Sequence, residues 1–429
     1  MSSDKTTAGT STTEEVPPPA VPAIDPRLLV REQGLAGYWT EFRRRIKGGE
    51  LGSMPVIAAL IIIVIVFQLA NDRFLSANNI SNIGYYLAGT GMLSIGLVFV
   101  LLLGEIDLSV ASVSGLAAAI FAVFTTSHGM NLWLAALLTL VIGALIGAFH
   151  GFFLAKVGVP AFVVTLAGFL GWNGYMLWLL RKTGSISIAD KGPIKIMDQN
   201  SYFMNSDVAG AYILATVGVA LMLGTSLFDQ ARRRKAGVPF RATSEIILRT
   251  ALVAIVSYGV AIVLNNYNGV PNSLVIFLVV LVICDFVVRR TTFGRKVFAL
   301  GGSLEASRRA GISVPAVRIA VFSLAGGFAA LGGLFLAGQI QTANTQAGSG
   351  NDLMLAIAAV VIGGTSLFGG RGSIWSALIG GLVITSIQTG LDLLNMDQSI
   401  QYMITGAVLL AAVIIDSVSR RTQRSSGRA

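Results

Sequence analysis

Apolar residues fall into twelve continuous runs along the chain, at 53–70, 85–103, 110–127, 131–155, 160–180, 208–227, 246–264, 273–288, 316–338, 353–368, 373–391 and 399–416. None alternates with period two, and most approach the ~20 apolar residues that a membrane-spanning helix needs. The pattern predicts an all-α, polytopic integral membrane protein of about 12 transmembrane helices. The stretches around 85–127 and 353–391 are rich in Gly and Ser, which suits tight helix packing and interrupted helices. Most connections are short. Two are not: 182–207 sets Lys182, Lys191 and Lys195 against Asp190, Asp198 and Asp207 and is expected to form a neutral, ordered cap, and 289–315 is long and basic. No internal repeat is evident.

Outside the runs the chain changes character. Residues 1–26 are Ser, Thr and Ala followed by Pro17, Pro18, Pro19 and Pro22, a composition expected to stay disordered. No apolar core follows a basic start, so no signal peptide is expected. Leu35 to Lys47 suits a short amphipathic helix on the membrane surface. The division is therefore a tail at 1–50, a transmembrane domain at 51–416 and a basic tail at 417–429.

Composition supports the membrane reading. Apolar types make up 54 %, charged types 12 %, and mean hydropathy is +0.74, whereas soluble domains carry roughly a quarter charged residues. The formal charge of +10 does not point to nucleic acid, because the basic residues sit in short loops beside apolar runs. If the N-terminus is cytoplasmic, those of 43–47, 228–245, 289–318 and 420–428 all fall inside. Outside fall only Arg73, Arg181, Lys182, Lys191 and Lys195, so both termini are expected in the cytoplasm.

Candidate chemistry is sparse. Cys284 stands alone, and His128 and His150 are too few and too separated for a metal cluster. His150 is read as a satisfied residue in or near the membrane. There is no G-x-x-x-x-G-K-[ST] loop, no G-x-S-x-G elbow and no H-E-x-x-H, so no catalytic residue, metal or cofactor is assigned.

Three polar features remain. Gly104, Glu105, Ile106, Asp107, Leu108 and Ser109 join the second and third runs. Ser109 suits an N-cap that accepts from orphan N–H groups, and Asp107 suits the same helix N-terminus. The alternatives are a hinge in the transport path and a solvated turn. The run from Gly363, Gly364 and Thr365 to Ser373 lacks the Lys-Ser/Thr pair of a phosphate cradle and suits a tight interhelical turn. Ser303 as N-cap, Glu305 in the first turn, Arg308 and Arg309 in the last and Gly311 beyond it predict a short isolated helix of about seven residues. Helices that short are marginal in water, so this one needs a protein partner or lipid headgroups to rest on. Trp172, Asn173, Gln339 and Gln388, with Trp178 and Gln341, are candidate path residues, although a tryptophan at a span end is commonly an interface anchor.

Four motifs carry a family resemblance. Gly104 to Ser112 resembles the G-G-I-D-L-S-V-G-S segment of the membrane permeases of bacterial ribose/xylose-type ABC importers. Gly143, Gly147 and Gly151, then Ala155-Lys156 and Val159 to Ala167, resemble their G-x-x-x-G-x-x-x-G…A-K…V-P-A-F-V-x-T-L-A segment. Phe293-Gly294-Arg295, Ala299 and Gly301 to Ile312 resemble their cytoplasmic loop, and Ile362 to Ser373 their I-G-G-T-S-L-x-G-G-x-G-S run. The resemblance implies a type II-like importer permease in the bacterial plasma membrane, paired with a second permease copy. It implies two cytoplasmic ABC ATPase subunits that carry ATP-Mg, and a sugar-binding protein outside. The 303–311 helix would dock into the ATPase. The additional apolar pair at 208–264 resembles the xylose-type branch, implying a pentose such as xylose. Glu105, Ser303 and Ser307 depart from the family's Gly, Asn and Ala.

Two other classes compete. A single-chain, ion-coupled sugar transporter fits twelve spans but needs ionisable groups at mid-membrane, and apart from Arg249 the central spans are nearly charge-free. An enzyme acting on a lipid-linked sugar through Glu105 and Asp107 needs an acidic or His-rich loop, which 182–207 is not.

Overall fold

A computed structural model describes residues 54–188, 192–204, 209–238, 240–348 and 350–425. The expected tail at 1–50, with its interfacial helix, lies outside them, as do Asp190, Lys191 and Asp207. The elements run α1 (Met54–Ala70), α2 (Ala77–Leu102), α3 (Val110–Ala122), α4 (Leu132–Phe152), α5 (Ala161–Leu180), β1 (Ser185–Ser187) and α6 (Pro193–Ile196). There follow α7 (Ala209–Lys235), α8 (Thr243–Asn265), α9 (Asn272–Arg290), α10 (Thr292–Gly302), α11 (Leu304–Arg309), α12 (Val314–Ile340), β2 (Thr342–Asn344), α13 (Gly350–Ile362), α14 (Trp375–Leu393) and α15 (Gln398–Ser425). Single π turns, Val123–Ser127 and Phe153–Val157, extend α3 and α4.

Each apolar run holds one helix, and the all-α polytopic expectation stands. Among the described residues nine helices are long and apolar enough to cross a membrane, and α1 and α13 are shorter apolar ones. The count of twelve spans is thus not confirmed. The 13 residues of α13 reach about 20 Å, short of a hydrocarbon core of ~30 Å. The tenth run outlasts its helix, because its apolar character continues through Leu367 and Phe368 while the backbone leaves the helix after Ile362 and turns through Gly364 at φ +95°.

The bundle is organised around α2 and α12. Helix α2 is buried along almost its whole length, so its neighbours must come close. Small residues permit that where lipid offers no hydrophobic drive between helices. Gly143, Gly147 and Gly151 form one stripe of α4 and face Phe322, Gly326 and Ala330 of α12: a Cβ on Gly147 would land on the Phe322 carbonyl, and one on Gly326 on the Gly143 carbonyl. The outer helices are lightly covered. Leu166 and Leu170 of α5 and Ile247, Ile255 and Val256 of α8 are exposed, as lipid-facing positions are.

Loops of opposite parity gather at opposite ends. At one end Ser185–Ser187 pairs antiparallel with Thr342–Asn344, Gln341 Nε2 donates to Asp198 Oδ1 (2.9 Å), and Asn272 Nδ2 donates to Ser201 Oγ (2.7 Å). The described part of 182–207, with its strand and short helix, is tied down at this end. At the other end meet the segments after α2, α4, α9 and α13, which carry Arg289, Arg295, Lys296, Arg308, Arg309, Arg318 and Arg371.

Candidate functional site

The basic end is where most sequence-marked residues converge. Three chain segments meet there at one point. Gly370 N donates to Leu102 O (3.0 Å), closing the loop after α13 onto the end of α2. Gly301, at the end of α10, has the Leu102 carbonyl and Gly370 N where a side chain would stand. Gly104 and Gly369 take φ +77° and +82° beside one another, a conformation that glycine adopts without strain. Gly363 abuts Ser376 of α14, and Thr365 is buried.

The helix α11 leads directly from this junction. Ser303 Oγ accepts from Ala306 N–H (3.2 Å), Glu305 lies in the first turn, and Gly311 turns at φ +75°. Arg309 pairs with Glu305 at 3.3 Å, both far out in solvent, and Arg308 is exposed as well. The helix is six residues long, and it is not isolated: α10 precedes it, burying Gly294, Val297 and Leu300 while Arg295 and Lys296 face outward. Its glycines at both ends disguised α10 as loop in the sequence.

Glu105, one of the three departures from the resembled pattern, is neither solvated nor alone. Its Oε1 lies 2.6 Å from Arg318 Nη2 of α12, with both side chains four-fifths buried. Burial pushes the Glu105 carboxyl up from its ordinary value, and the adjacent guanidinium pulls against that push. The pair ties the break after α2 to the helix that follows α11. Beside it opens a cavity of about 360 Å³ lined by Glu105, Arg318, Leu154 and the Gly158–Phe162 turn.

Asp107 and Ser109 belong to a buried chain that sequence spacing did not reveal. Ser109 does not cap α3 with its side chain. Instead its hydroxyl and its N–H both bond Asp107 Oδ1, at 2.6 and 2.8 Å. His150 Nδ1 of α4 lies 3.2 Å from the same hydroxyl, and Trp172 Nε1 of α5 donates to His150 Nε2 at 2.9 Å. An indole N–H only donates, so Nε2 accepts and Nδ1 carries the proton. Protons then point one way along the chain, from Trp172 through His150 and Ser109 to Asp107. Gly168 makes room, since a Cβ there would lie 2.5 Å from His150 Nε2. His150→Ala is expected to lower the stability of the purified chain by about 1–3 kcal/mol, because it strips partners from buried polar groups. Gly168→Ala should cost a similar amount in the parent and almost nothing on top of His150→Ala. Additive losses in a thermal-melt double-mutant cycle would rule out the packing of Gly168 against His150.

The other path candidates are dispersed. Trp172 and Asn173 sit half-buried on α5, Gln388 half-buried on α14, and Gln339 Nε2 donates to the Tyr85 carbonyl (3.0 Å) near the opposite end. No hydrogen bond joins any two of these four among the described residues. Gln341 serves the cap at the β1–β2 end through Asp198. Trp178 stacks on Tyr175 with Arg181 4.4 Å above its ring, the dress of an interface anchor. No cluster of three metal-ligating side chains exists among the described residues.

Comparison with known proteins shows the family of the chain. Residues 79–413 match the family described as branched-chain amino acid transport system, permease component. The chain is 36 % identical over 377 residues to the xylose transport system permease protein XylH of Escherichia coli K12, covering 88 % of this chain and 94 % of that protein. It is 33 % identical to XylH of Haemophilus influenzae (88 % and 99 % covered) and 30 % identical to the ribose import permease protein RbsC of Bacillus subtilis (88 % and 96 % covered). No solved structure matches it. The expected ribose/xylose-type resemblance is borne out over most of the chain.

Proposed function

The chain belongs to the branched-chain amino acid transport system permease component family, and on that premise we propose that it imports a pentose, xylose foremost, as the membrane subunit of an ATP-binding-cassette importer. It is a transport component rather than an enzyme, and ATP-Mg would be held and hydrolysed by separate ATPase subunits on the cytoplasmic side. The sugar class rests on the names of two relatives, 36 % and 33 % identical to this chain. The mechanism rests on one observation: α11, with its exposed arginines, is joined through Gly301 to the breaks after both α2 and α13. A push on α11 is thereby delivered to Gly104–Ser109 and Gly363–Thr365 together, and through Glu105–Arg318 to α12. Those breaks act as hinges of alternating access, and Trp172, Asn173, Gln339 and Gln388 offer polar contacts to a passing sugar.

In this reading the basic end and both termini face the cytoplasm, a second copy completes the path, and a sugar-binding protein docks on the end that carries the β1–β2 pair. Few sugar-holding groups are then required of the permease, because selection is made by the binding protein. The test is reconstitution of the chain in vesicles with its ATPase and binding protein. Labelled xylose should accumulate only with ATP at the ATPase face and with the binding protein opposite. Accumulation by the chain alone, driven by a proton or sodium gradient, would overturn the proposal in favour of a secondary transporter.

A further inference from the structure

Helices α7 and α9 are linked at two levels, by a shared apolar cluster at one end and by an ion pair at the other. At one end Ala211 and Ala215 of α7 share an apolar cluster with Leu274 and Val275 of α9. At the other Arg290 Nη2 of α9 holds both carboxylate oxygens of Asp229 on α7, at 3.1 and 3.2 Å. Along α7, between these two levels, runs a groove of about 450 Å³ lined by Val217, Ala220, Leu221, Gly224, Thr225 and Phe228 of that helix and closed by Arg290 of α9.

We propose that this groove binds one anionic phospholipid of the basic-end leaflet, an acyl chain lying along α7 and the phosphate held at the Arg290 end. The length fits. Val217 to Phe228 spans about 16 Å of helix, and one leaflet supplies half of a ~30 Å hydrocarbon core. The shape fits, since Ala220 and Gly224 hollow the stripe and nothing lies within 4 Å of where a Gly224 side chain would begin. The charge selects the headgroup. The stripe continues at helical spacing from Phe228 to Arg232 and Lys235, both exposed, so basic groups stand just where a lipid phosphate would end. Arg290 has donors beyond those given to Asp229. A second copy of this chain is a poor occupant. Two such faces meeting about a two-fold axis would set Arg232, Lys235 and Arg290 against their equivalents. The inference needs only the chain in a membrane and stands apart from the sugar-importer reading.

The experiment is native mass spectrometry of the delipidated full-length chain, titrated with phosphatidylglycerol or phosphatidylcholine. The expected result is at least tenfold tighter binding of phosphatidylglycerol, undisturbed by inorganic phosphate. Gly224→Phe, which fills the groove without changing charge, should remove that binding. Arg232→Gln with Lys235→Gln should remove the preference, and these surface changes report even if the groove-filling variant fails to fold. Equal binding of both lipids, retention by Gly224→Phe, or a shift from dimer to monomer in Gly224→Phe would each overturn the proposal.

Discussion

Gly147→Val is expected to abolish recovery of folded protein from membranes. The new Cβ would fall on the Phe322 carbonyl, and the neighbouring contact is backbone too, with Gly326 set against the Gly143 carbonyl. Neither partner is a side chain that can swing away, so α4 and α12 must separate along the stripe that holds the bundle together. Overpacking a core costs about 1–3 kcal/mol when side chains can adjust. Where only backbone can yield, the loss should take most of a stability that is only ~5–15 kcal/mol. Gly259→Ala on α8 is the control, because nothing lies within 4 Å of its added methyl, and helix propensity predicts a gain of up to about 1 kcal/mol. Fluorescence-detected gel filtration of tagged chains separates the outcomes. A monodisperse Gly147→Val peak at parental height would show that the stripe does not set the crossing.

The second large effect is expected at α11. Replacing Arg308 and Arg309 by Glu should eliminate ATP-driven uptake and co-purification of the ATPase while leaving the permease folded. Folding is spared because the Arg309–Glu305 pair is in open solvent, where such pairs contribute little. Docking is not spared. In the proposed docking of α11 on the ATPase, reversing two charges sets like charges together, at a cost of several kcal/mol, or roughly a hundredfold or more in affinity. Pull-down of the ATPase and vesicle uptake measure the two effects separately. Normal ATPase recovery with the double reversal would move the docking site elsewhere.

Much of the architecture was legible because it depends on local pattern. Continuous apolar runs located the long helices, the glycines at 143, 147 and 151 announced a close crossing, and Ser303, Arg308, Arg309 and Gly311 marked both ends of α11. Errors arose where polarity and helix parted. Helix α2 begins at Ala77, eight residues before its apolar run, because Asn78, Asn79, Ser81 and Asn82 hide its first turns, although Ser76 caps Asn79 N–H and Asn79 Nδ2 donates to Phe74 O. The site itself was legible as a list and not as an arrangement. Glu105 and Arg318 are 213 residues apart and Ser109 and His150 are 41 apart. Nothing in either neighbourhood names the other. A lone histidine in an apolar helix carried the one usable hint, since buried polar groups need partners.

The central position of α2 has a consequence in time. It is buried along almost its whole length, and α12, one of the two axes of the bundle, begins more than 200 residues later. At synthesis rates of ~5–20 residues per second, α2 is threaded roughly 10–40 s before that partner exists. Throughout that interval a helix carrying Asn79, Ser81, Thr90 and Ser94 on faces meant for protein must sit among lipid tails or in the insertion machinery. The newborn chain is therefore most exposed to misassembly and degradation in the window between its second helix and its twelfth, and the outer helices made meanwhile are what the cell has to shield it with.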